Sequence, residues 1–241
     1  MADKALIVGL GQVGTALLEV LSQVHDVYIK DDQLDTSDGC KLYRGPDNGE
    51  QFDFMHICFP FENADQFRIS IQGLQQTYDV GMTVVHSTVP VGTCKRLGAV
   101  HSPVMGKHPY LASDLLSFTK FVGGLDASVV AEHLHQAGMR VYITEMAETT
   151  EAMKLFSTLF YAVCIEYTKD IKRFCMGHGL PFEMWTLWTE AYNEGVVARG
   201  DSQLVRPNLI PIFKPIGGHC VRPNLSMTDS VWAQFIESRQ E

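Results

Sequence analysis

Apolar positions in the first half of the chain fall into short continuous runs. Between them lie stretches in which apolar residues return every three or four positions. "KALIVGLGQVGTALLEVL" opens as a β-branched strand, passes a glycine turn and continues as an amphipathic helix. "HDVYIKDD" predicts a second strand ending at Asp31. The segment from Thr36 to Glu50 is polar and turn-rich, and reads as a loop with a short strand. "DFMHICFPF" predicts a buried strand ending in Pro60, "ADQFRISIQGLQQTY" a helix, and "GMTVVHSTVP" another buried strand. A segment with prolines, glycines and a helix-like centre follows. Then "KFVGGL" predicts a strand, "ASVVAEHLHQAG" a helix and "MRVYIT" a strand. This alternation predicts an α/β fold, a doubly wound parallel sheet with helices on both faces. From Met146 to Leu180 the pattern turns helical, with no internal Gly or Pro before Gly177. Thr149 or Thr150 is a candidate cap for that long helix. Leu155, Leu159, Ala162 and Ile165 form its apolar stripe. "PFEMWTLWTEAYNEGV" predicts a second helix, and Ser226 with Asp229 predicts a capping box for a last short one. The expected division is residues 1–146 as the α/β domain and 147–241 as a smaller all-helical domain with one long helix.

The first turn carries specific chemistry. It is Gly9-x-Gly11-x-x-Gly14, between a strand and a helix, and Asp31 ends the next strand seventeen residues beyond Gly14. Gly9 permits the tight turn, Gly11 lets the backbone approach a pyrophosphate, and Gly14 lets helix and strand pack closely. The helix N-terminus, opened by Gln12 and Val13, offers N–H donors to phosphate. Asp31 at a strand end suits the ribose hydroxyls and repels a 2′-phosphate, so the expected cofactor is NAD and the domain a Rossmann unit. Ligands of such sheets sit at the carboxyl ends of the strands. Pro60, Ser87 and Thr88 therefore join Gly9, Gly11, Gln12, Val13, Gly14 and Asp31 around one crevice.

Composition narrows the class. At 46% hydrophobic and 20% charged residues, the 241-residue chain can bury a real core. A net charge of −9 argues against a nucleic-acid or acidic-membrane partner, while a local site can still hold an anion. No apolar run approaches the ~20 residues of a membrane span. The start "MADKALIVGLG" has no basic leader and cleavage site, so the expected location is cytoplasmic. Cys40, Cys58, Cys94, Cys164, Cys175 and Cys220 form no C-x-x-C pair and are expected as free thiols. The nine histidines show no ligand spacing, so no metal site is expected.

Cys220 stands in "PIFKPIGGHCVRP", among glycine, proline and histidine. Alone, such a cysteine reads as a buried, inert filler. The ordered set "VVHSTVPVGT", "TTEAMKLFSTLFYAVCIEYTKDI" and "PIGGHCVRP", after the glycine turn, resembles the UDP-glucose/GDP-mannose dehydrogenase family, the nucleotide-sugar 6-dehydrogenases. The resemblance covers nearly the whole chain. It implies two successive oxidations of a sugar alcohol by NAD, through an enzyme-bound thioester, to a carboxylate. It implies Cys220 as the nucleophile, Lys154 as the residue holding the substrate oxygen, and Thr88 as a hydrogen-bonding partner of substrate or water. Gly217, Gly218 and His219 would line the substrate beside Cys220, and His219 or Lys214 could lower its pKa. Glu151, one turn before Lys154, is its expected ion-pair partner. The resemblance also implies a homodimer through the long helix.

The sequence departs from that family at defined points. Thr158 stands where an asparagine is usual, and Asn224 where an aspartate is usual. The family's loop glutamate aligns with Val104 in Pro103-Val104, leaving His108 as a candidate for its proton-handling role. The chain reads as a truncated form lacking the C-terminal nucleotide-sugar-binding domain. Two other readings therefore stand beside the first. One is a single-step 3-hydroxyacid-type dehydrogenase using Lys154. The other is a non-catalytic NAD-binding regulator or subunit.

Overall fold

The computed structural model describes residues 2–32, 46–216 and 221–239. The chain forms two compact units, Met1–Leu155 and Phe156–Glu241. Part of the polar loop between Thr36 and Glu50, and all of Gly217, Gly218, His219 and Cys220, lie outside the described residues.

The first unit is built on strands β1 (Lys4–Val8), β2 (Asp26–Lys30), β3 (Gln51–Ile57), β4 (Asp79–Val85), β5 (Val100–His101), β6 (Thr119–Gly123) and β7 (Arg140–Thr144), in the order β2-β1-β3-β4-β5-β6-β7. Strand periodicity assigns the two faces. Ala5 and Ile7 of β1 join one apolar cluster, with residues of α1 (Gln12–Leu21), α4 (Leu111–Ser117) and α5 (Ala127–Gln136). Leu6 and Val8 join the other, with residues of α2 (Ala64–Thr77) and α3 (Thr93–Leu97). Leu6 and Ile7 are both wholly buried, each burial contributing roughly 1.5–3 kcal/mol. Asn63 caps α2 by accepting from the backbone N–H groups of Asp65 and Gln66.

The expectation of a wholly parallel sheet is corrected at one pairing. β5 and β6 run antiparallel, with His101 opposite Gly123, and β6 and β7 are parallel to each other. β5 has two residues, and the chain beyond it returns through the short α4 rather than a full crossover.

The second unit holds α7 (Glu183–Ala198), a 3-10 turn (Ser202–Leu204), α8 (Arg222–Leu225) and α9 (Val231–Ser238). The boundary between the units falls within α6 (Ala147–Gly177). The second core gathers Leu159, Ala162, Ile216, Val221, Leu225, Ala233 and Ile236. Two capping expectations are corrected. Thr149 and Thr150 lie inside the first turn of α6, which begins earlier at Ala147. α9 is capped by Ser230, which accepts from the N–H of Trp232. Ser226 instead ends α8, its hydroxyl donating to the Pro223 carbonyl.

A polar thread crosses the first core. Lys120 on β6 is 3% exposed, and its Nζ lies 2.6 Å from Ser102 O, 3.0 Å from Pro103 O and 3.1 Å from His86 Nδ1. His86 Nε2 meets His56 Nδ1 at 2.9 Å, His56 Nε2 meets His133 Nε2 at 3.2 Å, and His133 Nδ1 meets Asp3 Oδ2 at 2.8 Å. Two proton arrangements are open to the thread: the first satisfies every side-chain link, and the second leaves His133 Nδ1 and Asp3 Oδ2 facing each other without a proton. With an ammonium at Lys120, each ring donates toward Asp3. With a neutral amine, each ring donates the other way, His86 Nδ1–H pointing to the amine or to Ser102 O, while the two amine protons serve the two carbonyls. Burial lowers the Lys120 pKa to about 7, with Lys154 pushing the same way and Cys58 opposing. Burial likewise holds His56 and His86 well below the usual imidazole range.

Two outcomes follow from this packing. A Cβ on Gly14 would lie 1.9 Å from the Gly9 carbonyl oxygen, whereas at Gly11 it would meet open space. Gly14→Ala should cost about 1–3 kcal/mol or more in urea unfolding, and Gly11→Ala should leave the midpoint nearly unmoved. Lys120 titrates near 7 in the native state and near 10.4 when unfolded, so the unfolded chain binds more protons between those values. Stability from this group should therefore rise as pH increases from about 7 to about 10, by at most a few kcal/mol. Lys120→Met should flatten that rise, measured as unfolding free energy against pH in both proteins.

Candidate active site

The glycine turn forms as the motif requires. Gly9 has φ +92°, and a Cβ there would lie 2.9 Å from the Phe59 nitrogen, so glycine is demanded twice over. Gly11 is the N-cap of α1 and uses no side chain to cap it, and the first turn carries no acid. The orphan N–H groups of that first turn meet no acidic side chain from the helix itself. Asp31 reaches back from the end of β2, its Oδ2 accepting from the Leu10 N–H at 2.5 Å. That bond ties the strand-end acid to the glycine turn. Gly9, Gly11, Asp31 and Pro60 line one cleft of about 790 Å³, together with Phe59 and Asn63.

The turn after β4 lies next to this region in the sheet order. Ser87 donates from Oγ to the Phe59 carbonyl at 2.5 Å. Thr88 is half-buried beside it. His101 closes the turn from β5, its Nε2 3.2 Å from the Ser87 carbonyl and its Nδ1 2.8 Å from Thr150 Oγ1. The carbonyl can only accept, so Nε2 bears the ring proton and Nδ1 accepts from Thr150. Burial lowers His101 to about 3, so the ring is neutral.

Glu151 does not pair with Lys154 as expected. Its carboxylate is fully buried and accepts from the N–H groups of Gly92, at 2.5 Å, and Cys94, at 2.7 Å. A buried carboxylate needs several donors at once, and the open backbone at the start of α3 supplies them. One turn later, half-buried Lys154 donates from Nζ to the Val104 carbonyl at 2.8 Å. The lysine therefore meets the backbone at the position where the resembled family carries a glutamate.

His108 is exposed on the loop before α4. Thr158 is half-buried, four residues beyond Lys154 on α6. Asn224 is 8% exposed in α8. Lys214 is exposed, and its carbonyl accepts from Lys169, which forms a buried ion pair with Glu166 at 2.5 Å. Cys220 and its neighbours Gly217, Gly218 and His219 lie outside the described residues. The described cysteines, Cys58, Cys94, Cys164 and Cys175, are free thiols. Burial pushes Cys58 up to about 12, which leaves it a poor nucleophile. No helix among the described residues is long and apolar enough to cross a membrane.

Sequence reading missed Lys120, His86 and His101 as parts of this region. The only sequence signal is a charged or titratable residue inside a strand pattern, as in "TKFVGG" and "VVHS".

No family model matches the chain, and no curated protein matches it in sequence. Solved structures do resemble it. UDP-D-ManNAc dehydrogenase from Pyrococcus horikoshii superposes with TM-score 0.78 at 16% identity, over 98% of this chain and 68% of that one. A Mycobacterium tuberculosis 3-hydroxyisobutyrate dehydrogenase gives TM-score 0.69 at 14% identity, over 99% of this chain and 92% of that one. A UDP-glucose dehydrogenase from Pyrobaculum islandicum gives 0.70 at 14%, over 99% and 65%. At these identities the likeness concerns architecture, and the chain has the Rossmann-like α/β fold of these dehydrogenases.

Proposed function

We propose that the protein is an NAD-dependent dehydrogenase acting on a CH–OH group of a sugar or nucleotide sugar, with Cys220, Lys154 and Thr88 at its centre. The observation that carries the reading is the glycine turn: an uncapped helix start at Gly11, open space above it, and Asp31 drawn to Leu10 on the same cleft. Gly9, Gly11, Gln12, Val13, Gly14 and Asp31 would hold the dinucleotide, with Pro60, Ser87 and Thr88 completing its cleft. Bound NAD would supply the electron acceptor for each oxidation. Lys154, held on the Val104 carbonyl, would stabilise negative charge on the substrate oxygen. The Cys220 thiolate would add to the aldehyde from the first oxidation. The second oxidation of that adduct gives a thioester, and water releases the carboxylate and restores the thiol. Thr158 and Asn224 would support this centre by hydrogen bonds alone, since neither side chain is a carboxylate base. His108, Gly217, Gly218 and His219 complete the proposed substrate contacts.

One second reading has its own support. The 3-hydroxyisobutyrate dehydrogenase is matched along 92% of its length. A single-step oxidation using Lys154 would need no nucleophile. The ratio of NADH to product separates the two readings. Two NADH per carboxylate are expected, and Cys220→Ser, in which only the first oxidation survives, should give one NADH per aldehyde and no carboxylate. Unchanged carboxylate yield from Cys220→Ser would rule out the thioester route.

The proposed homodimer rests on α6, where Phe156, Phe160, Tyr167 and Phe174 are each about half exposed or more at near-heptad spacing. Light scattering at micromolar concentration should give twice the chain mass, and Phe160→Glu should shift it to the monomer.

A further inference from the structure

Three residues far apart in sequence meet at the amino ends of the first two strands. Asp3 precedes β1, His25 precedes β2, and His133 lies in the last turn of α5. Their nearest ligand-type atoms all lie within 4.8 Å of one another, the single such grouping among the described residues. The His25 and His133 side chains are 1% and 0% exposed, while Asp3 is 28% exposed and opens the cluster to water. The two rings stack with centroids 4.1 Å apart.

The hydrogen bonds leave one ring nitrogen unsatisfied. His25 Nε2 lies 3.0 Å from the His133 carbonyl oxygen, which can only accept. The proton therefore sits on Nε2, and Nδ1 presents a bare lone pair. That Nδ1 is buried and has no hydrogen-bond partner. It faces Asp3 Oδ2 at 3.6 Å, lone pair toward lone pair. A cation between them would remove this conflict. A backbone carbonyl holding the far nitrogen is also the usual way a metal-bound imidazole is oriented.

The two spacings to Asp3 bracket the value expected at zinc, and the donor types suit it. Ligand atoms around a tetrahedral zinc, at about 2.0–2.2 Å from it, stand about 3.3 Å apart. Asp3 Oδ2 stands 2.8 Å from His133 Nδ1 and 3.6 Å from His25 Nδ1. Two imidazoles and one carboxylate form a donor set that leaves a fourth position for water. His133 can present a bare Nδ1 because its Nε2 faces His56 Nε2 at 3.2 Å. In one arrangement of the polar thread His133 Nε2–H donates to His56, His56 Nδ1–H to His86, and His86 Nδ1–H to Ser102 O.

We propose that Asp3, His25 and His133 bind one divalent cation of the zinc class, at the end of the strands opposite the glycine turn. The site tethers the start of the chain to α5, with one position open to solvent. The rival occupant is a proton, making His25 an imidazolium paired with Asp3.

The test uses the full chain with Zn²⁺ alone and Co²⁺ alone as probes, followed by calorimetry and by visible Co²⁺ absorption. Saturable binding of one ion per chain is expected, with a visible Co²⁺ band and a Zn²⁺-dependent rise in unfolding temperature. Asp3→Asn keeps the shape and an acceptor for His133, and it should weaken binding about tenfold or more and remove the band. His25→Phe, which retains ring stacking, should do the same. His178→Ala, at an exposed histidine in the turn after α6, should leave binding unchanged. Three results would overturn the proposal: no saturable binding by the wild type, undiminished binding by a folded Asp3→Asn, or loss of binding in His178→Ala.

Discussion

The buried carboxylate of Glu151 organises the candidate site. It leaves α6 and binds two backbone N–H groups of the segment that follows β4. Thr88 precedes that segment, Thr150 beside Glu151 holds His101, and Lys154 one turn on meets Val104. Removing the carboxylate would strand the buried Cys94 N–H and the half-buried Gly92 N–H, and removing the donors would strand a buried carboxylate. The start of the long helix is thereby fixed to the turn after β4. The lysine is aimed by a carboxylate that never touches it.

What could be read from the sequence was set by local period and turn chemistry. The run "KALIVGLGQVGTALLEVL" encodes strand, turn and helix within itself, and Gly9 and Gly14 sit where a Cβ would collide with backbone. Long elements such as α2 and α6 were legible for the same reason. The reversal at β5 was not, because two residues give no period to read. Glu151 and Lys154 are neighbours by helical spacing, but spacing cannot show that a better set of donors waits on another segment. The cysteine loop stays a matter of sequence, since residues 217–220 lie outside the description.

The histidines illustrate the same limit from the other side. Their spacing along the chain forms no motif, yet His25, His56, His86, His101 and His133 are all buried in one unit. They come from β3, α5 and the ends of β2, β4 and β5, and only the folded sheet makes them neighbours. Inside a chain of net charge −9, the core carries a linked set of basic groups with Asp3 at one end and Lys120 at the other. Such a thread fixes strand and helix positions by hydrogen-bond direction as well as by apolar contact.

The antiparallel pairing of β5 with β6 has a consequence for reach. Because β6 runs backwards, its first residues rather than its last lie alongside Ser102 and Pro103, which places the Lys120 amine there. β7 follows the same heading and delivers the chain to Gly123, around which Met146 and Thr150 close. From there α6 travels seven residues, about 10 Å, before Lys154 arrives at Val104. Two amines from different elements thus converge on consecutive carbonyls of one short segment. The reversed strand pair acts as a ruler, setting by its length how far along the helix the second amine must be encoded.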